Sequence, residues 1–178
     1  MGTARVHTQG AGEQLLVLGH GAGGGVEAVD LVAARDAAVA LGWRVALVEQ
    51  PWRVRGRRVA EAPTRLDRAW VEVVATLSGS LVVVGGRSAG ARVACRTSAE
   101  VGAAAVLCLA FPLHPPGRPE RTRLPELEGV DVPVLVVQGA RDAFGIPPGA
   151  VVVPGADHRL AAGPAVAQLV GDWLQTLT

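Results

Sequence analysis

Six apolar runs of strand length recur along the chain, at residues 14–18, 44–49, 81–85, 104–110, 133–138 and 150–153. They are continuous rather than alternating, which suits strands covered on both faces, as in a parallel sheet. Helical spacing fills most of the intervals. Residues 26–41 are closed by Gly42, and 63–77 carry Leu66, Trp70, Val73, Val74 and Leu77 on one stripe, with Pro63 near the start and Gly79 past the end. Residues 89–101 follow Ser88, and 164–177 place Val166, Leu169, Val170, Trp173 and Leu174 on one face. This alternation predicts an α/β fold: a doubly wound, mostly parallel sheet of about six strands with helices on both faces. In such sheets function gathers at the carboxyl ends of the strands. The Pro-rich stretch 111–133 reads as an ordered loop with at most one short helix.

A length of 178 residues suits one domain, 1–178, able to bury about 70% of the surface its unfolded chain exposes. Charged residues make up 19%, too few for a disordered chain. No apolar run approaches the roughly 20 residues that cross a bilayer. The opening MGTARVHTQGAGEQ has no hydrophobic signal region, and Val6 sits where a myristoylation motif needs Ser or Thr, so a cytoplasmic protein without membrane attachment is expected. Cys95 and Cys108 lie in apolar surroundings and read as small buried hydrophobes.

All 17 basic residues are Arg. Without Lys, a Walker-type phosphate lysine, a Schiff base and a lysine general base are excluded. A net charge of +1, no Tyr and two Phe argue against a nucleic-acid partner.

The stretch LGHGAGGG, residues 18–25, admits two readings. Gly19-His20-Gly21-Ala22-Gly23-Gly24 matches the dinucleotide fingerprint G-x-G-x-x-G after a strand, with Glu49 closing the next strand as a ribose-binding acid would. His20-Gly21 followed by small residues also matches a loop that donates a backbone N–H to an oxyanion. A second motif decides between them. Gly86-Arg87-Ser88-Ala89-Gly90 is G-x-S-x-G between a strand and a helix, the elbow that exposes a nucleophilic serine. Given the Gly and Ser content, chance would supply roughly 0.07 such matches, against roughly 0.4 for G-x-G-x-x-G.

A serine nucleophile needs a histidine base and an acid to orient it, and after such an elbow the chain order is Ser, acid, His. His158 follows the last strand, whereas His7 precedes the first strand, and His20 and His114 come before any usable acid. Asp142 ends its strand on the active face; Asp131 lies at the opposite end, and Asp157 adjoins His158, a poor geometry for bonding its own neighbour's ring. The catalytic set is therefore Ser88, Asp142 and His158. Ala89, after the nucleophile, and Ala22, in the Gly21-to-Gly23 loop, are the expected oxyanion donors. His20 then organises the loop or lines the substrate site.

These residues resemble the α/β-hydrolase superfamily, and within it the small lidless, dienelactone-hydrolase-like proteins. The resemblance runs from Leu15 to the last helix. The segments 85–92 (GGRSAGAR), 111–117 (FPLHPPG) and 138–142 (QGARD) are similar to an uncharacterised bacterial branch related to the testis-expressed and chromatin-complex members of eukaryotes. The resemblance implies an ester, thioester or lactone hydrolase, a small acyl substrate as partner, no metal or organic cofactor, and no cap domain. Some relatives act as interaction scaffolds, the alternative function.

Phe111, Pro112 and His114 leave the strand after the elbow and are expected along one wall of a shallow pocket; a rigid turn over the sheet accounts for them equally. Arg53, Arg55, Arg57 and Arg58, with Arg87 inside the elbow, suit an anionic substrate or simple solubility.

Overall fold

A computed structural model describes residues 3–57 and 59–178. Its strands are β1 (Arg5–Gln9), β2 (Gln14–Gly19), β3 (Arg44–Glu49), β4 (Leu81–Arg87), β5 (Ala105–Leu109), β6 (Val134–Gly139) and β7 (Val151–Val153). Between them run α1 (Val29–Ala40), α2 (Pro51–Val54), α3 (Pro63–Val74), α4 (Ala89–Thr97), α5 (Leu124–Glu128) and, after β7, α6 (Gly163–Gln175). The strands form one sheet in the order β1-β3-β2-β4-β5-β6-β7. Every pairing is parallel except β1 with β3.

Pleating distributes the apolar runs between two cores. In β2, Leu16 and Leu18 enter the cluster that packs α1 and α6 against the sheet, while Leu15 and Val17 enter the opposite one under α3 and α4. Trp43 anchors the first cluster; Trp52 and Trp70 anchor the second. Both faces are thus covered, which is why the runs carry no polar alternation.

The seventh strand, β1, exceeds the six expected, and His7 lies within it rather than before the first strand. Arg-Val-His-Thr-Gln has almost no apolar content; the segment is extended because its backbone pairs with the open edge of β3. Across that edge Glu49 meets Arg5 at 3.3 Å and His7 at 3.7 Å. Its carboxylate is occupied there, which removes the ribose-binding reading of Glu49.

Among the described residues no helix is long and apolar enough to cross a membrane, and no group of three or more His, Cys, Asp or Glu could hold a metal ion. Cys95 and Cys108 are buried free thiols with sulfurs 3.4 Å apart. The neighbouring thiol and burial push Cys108 well above the usual thiol range, so it is a poor nucleophile.

Candidate active site

Ser88 falls between the last residue of β4 and the first of α4, with φ 52° and ψ −111°. A non-glycine residue at positive φ costs roughly 1–3 kcal/mol and persists only where its surroundings impose it. Here its N–H donates to Leu109 O at 2.9 Å, tying the turn to β5. Gly90 shows why the motif demands small residues: a Cβ there would collide with Gly19 O and sit 3.0 Å from His20 O. The helix can leave the elbow only by passing directly over the end of β2.

From that turn Ser88 Oγ reaches His158 Nε2 at 3.0 Å. His158 Nδ1 donates to Asp142 Oδ2 at 2.8 Å. Asp142 is fully buried at its side chain, and its other oxygen accepts the Phe144 N–H at 2.8 Å. The three residues stand just beyond the ends of β4, β6 and β7, on the carboxyl edge of the sheet, with β5 between the first strand and the other two. A hydroxyl, an imidazole and a carboxylate so linked can transfer a proton off the hydroxyl while holding the imidazole in one tautomer. Asp157 is not part of the relay; its carboxylate accepts the Arg159 N–H at 2.9 Å and shapes the turn. Asp131 is exposed, before β6 begins.

The N–H of Ala89 opens α4 and so has no intrahelical acceptor. Residues 21–24 turn beside it, closed by Gly24 N–H to Gly21 O at 3.5 Å, and a Cβ on Gly21 would lie 3.4 Å from Ser88 Cβ. Ala22 is exposed at the tip of this turn.

His20 is not a surface for substrate: it is 2% exposed. Its Nε2 accepts the Gln50 N–H at 3.0 Å, which leaves Nδ1 to donate to Gly21 O at 2.8 Å, with the ring packed against Trp52. Burial lowers its pKa, against the upward pull of the Gly21 carbonyl and Glu49. It organises the loop as a neutral ring.

Phe111 is fully buried in the core under α4, so its side chain forms no pocket wall. Arg87 is largely buried too, its guanidinium bonded to Asp30 at 2.8 Å and to the carbonyl of His158 at 2.6 Å, which leaves it poorly placed to meet substrate. His114 is half-buried beside Gly145, with Nδ1 donating to Pro115 O at 2.9 Å. Its N–H bonds Phe144 O at 3.0 Å, so the 111–117 stretch does border the loop that follows β6.

Two participants escaped the sequence reading. Phe144 stacks on His158 with ring centroids 4.1 Å apart. Gln138, fully buried, donates from Nε2 to Asp142 Oδ2 at 2.7 Å and also faces Phe111 O and Gly145 O, three acceptors for two hydrogens. The only available signal was a polar residue closing an apolar strand run four residues before the acid.

A groove of about 570 Å³ lies apart from this constellation, lined by Arg55, Arg57, Arg65 and Arg68 with Glu61 and Thr64. None of Ser88, Asp142 or His158 lines it. Arg58 of the sequence-level cluster lies outside the described residues.

Residues 12–150 match the alpha/beta hydrolase domain family, a span that includes Ser88 and Asp142 and ends before His158. No curated protein matches the sequence. Among solved structures, Est1E from Butyrivibrio proteoclasticus with ferulic acid bound is similar at TM-score 0.78 and 15% identity, covering 98% of this chain and 95% of that one. An alpha-beta serine hydrolase homologue from Coxiella burnetii gives 0.71 and 18%, covering 96% and 91%. XC6422 from Xanthomonas campestris, a serine hydrolase without lid, gives 0.66 and 19%, covering 96% and 89%. At these identities the structural likenesses speak for the fold alone, and with the family match over most of the chain they lead to one conclusion: this protein belongs to the alpha/beta hydrolases.

Proposed function

We propose that the protein is a serine hydrolase that cleaves a small acyl ester, thioester or lactone through an acyl-enzyme. Ser88 Oγ attacks the acyl carbonyl carbon while His158 Nε2 takes its proton. The oxyanion that forms faces the N–H of Ala89 and a donor from the 21–23 loop, with Ala22 the candidate. Collapse of this intermediate expels the alcohol, thiol or ring oxygen, which receives the proton from His158. Water then attacks the acyl-enzyme with His158 again as base, and Asp142 steadies the imidazolium at each stage. The observation that carries this reading is the unbroken hydrogen-bond relay from Ser88 through His158 to the buried Asp142. A lidless, dienelactone-hydrolase-like branch is favoured by the connection from β5 to β6, residues 110–133, which holds only the five-residue α5, and by the short path from β6 to β7; neither has room for a cap.

Intact-mass labelling with a fluorophosphonate tests it. One adduct on the wild type and none on Ser88→Ala is the expected result, with esterase activity lowered on the order of 10⁴-fold or more in the variant. A folded wild type that takes up no adduct would overturn the proposal and leave a non-catalytic scaffold.

A further inference from the structure

Arg87 fills the variable position of the elbow motif, yet its side chain is only 12% exposed. Nε donates to Asp30 Oδ2 at 2.8 Å, and Asp30 is itself completely buried in the first turn of α1, where its other oxygen accepts the Leu31 N–H at 2.9 Å. Nη2 donates to the backbone carbonyl of His158 at 2.6 Å. Between these contacts the side chain lies against the oxyanion loop: a Cβ on Gly21 would fall 3.2 Å from Nη1 and 3.4 Å from Cγ. One guanidinium therefore joins the elbow, the first turn of α1, the loop of Gly21 and the loop of His158.

We infer that Arg87, held by Asp30, is a positioning residue that locks the His158 loop and the 21–24 turn against the nucleophile elbow. The inference rests on the reading of Ser88 as nucleophile. The loop from β7 to α6 bears the base but has few large apolar anchors of its own; Asp157 is exposed, the His158 side chain keeps 21% of its surface open, and Leu160, with the smaller, partly buried Ala156 and Ala162, is its main foot. A charge-assisted bond to the carbonyl of His158 fixes the backbone at the residue whose ring must meet Ser88 within hydrogen-bond range. Asp30 supplies the reason Arg87 points inward rather than to solvent. Burial drives that carboxyl toward the neutral form while Arg87 draws it back, the behaviour of a pair whose members each require the other. Recognition of a substrate anion is a weaker use of this side chain, because Nε and Nη2 are already committed to protein acceptors.

Three variants test the clamp: Arg87→Met, Asp30→Asn and the double replacement. Arg87→Met is expected to lose about 100-fold in kcat on neutral and carboxylate-bearing esters alike, with KM little changed, and to react with the fluorophosphonate correspondingly slowly. It also strands a buried carboxylate and can unfold for that reason, whereas the double variant buries no charge and should melt near the wild type. The double variant should nevertheless keep the loss of kcat. A stable double variant with wild-type kcat would reduce the pair to a structural role, and a defect confined to KM for anionic esters would make Arg87 a substrate reader; either overturns the inference. Amide hydrogen exchange across residues 154–162 reads the clamp without turnover. Faster exchange in the folded double variant supports it, and unchanged exchange overturns it. Failure of the Ser88 reading would appear separately, as a wild type that never labels.

Discussion

His20 is held by two bonds that only a neutral ring with its proton on Nδ1 can make: Nε2 faces the Gln50 N–H, and Nδ1 faces a carbonyl. A second proton would set two donors against each other at Gln50. Burial accordingly depresses its folded-state pKa below 6.5, with Arg53 adding to that push and Glu49 and Glu27 opposing it. In the unfolded chain the ring takes up its proton near pH 6.5 while the folded ring resists, so stability contributed by neutral His20 is complete above that pH and lost as pH falls below it. Melting temperatures between pH 7 and 5 should therefore drop more steeply for the wild type than for His20→Gln, and parallel slopes would refute the assignment. At the other end of the site, Asp142→Asn should preserve the fold by circular dichroism but lower kcat by about 10⁴-fold, because the amide imposes the wrong imidazole tautomer. That Ser88, Asp142 and His158 meet in space was legible from their order and the strand ends. The burial of His20 and Phe111, the inward turn of Arg87 and the parts played by Gln138 and Phe144 were not, since each depends on a neighbour distant in sequence.

At the scale of elements, legibility followed burial. Strands covered on both faces declare themselves as continuous apolar runs, and β2 to β6 fall within a residue or two of where those runs lie; β7, an edge strand with Val151 and Val152 exposed, showed itself by its three valines instead. The edge strand β1 and the four-residue α2 carry no such signal. One exists because β3 offers an open edge, the other because Pro51 begins a single turn that seats Trp52 in the core. The elbow glycines are the reverse case, visible in sequence but explained only by the crossing of β2 beneath α4. Gly90→Ala tests that crossing. Its added methyl meets Gly19 O, so despite the better helix propensity of Ala the variant should lose about 1–3 kcal/mol in urea unfolding. A neutral or stabilising result would mean that α4 can shift, and fluorophosphonate reactivity would then show whether Ser88 moves with it.

Over the whole molecule, the parallel sheet gathers residues far apart in sequence onto one edge, and strand order, set by contacts between distant segments, is what local patterns least reveal. That edge carries more than the Ser88 constellation. The chain leaves the carboxyl end of β3 into α2 and re-enters at the start of α3, so the groove of Arg55, Arg57, Arg65 and Arg68 opens at the same end of the sheet as Ser88. Glu61 pairs with Arg55 and Glu72 with Arg68, but among the described residues Arg57 and Arg65 form no ion pair. A chain with 17 Arg against 16 acids is nearly neutral overall, so this is a local excess. A local positive field at the same end of the sheet as an uncapped site should raise the encounter rate of anionic substrates and weaken as salt shortens its reach to about 10 Å at 0.1 M. Hydrolysis of an ester bearing a carboxylate should therefore lose several-fold in kcat/KM between low salt and about 0.5 M, while a neutral ester of the same acyl group changes little. Replacing Arg57 and Arg65 together by Ser should flatten the first dependence and spare the second. Equal salt dependence for both esters would assign the arginines to solubility, and the acyl group alone would then govern substrate choice.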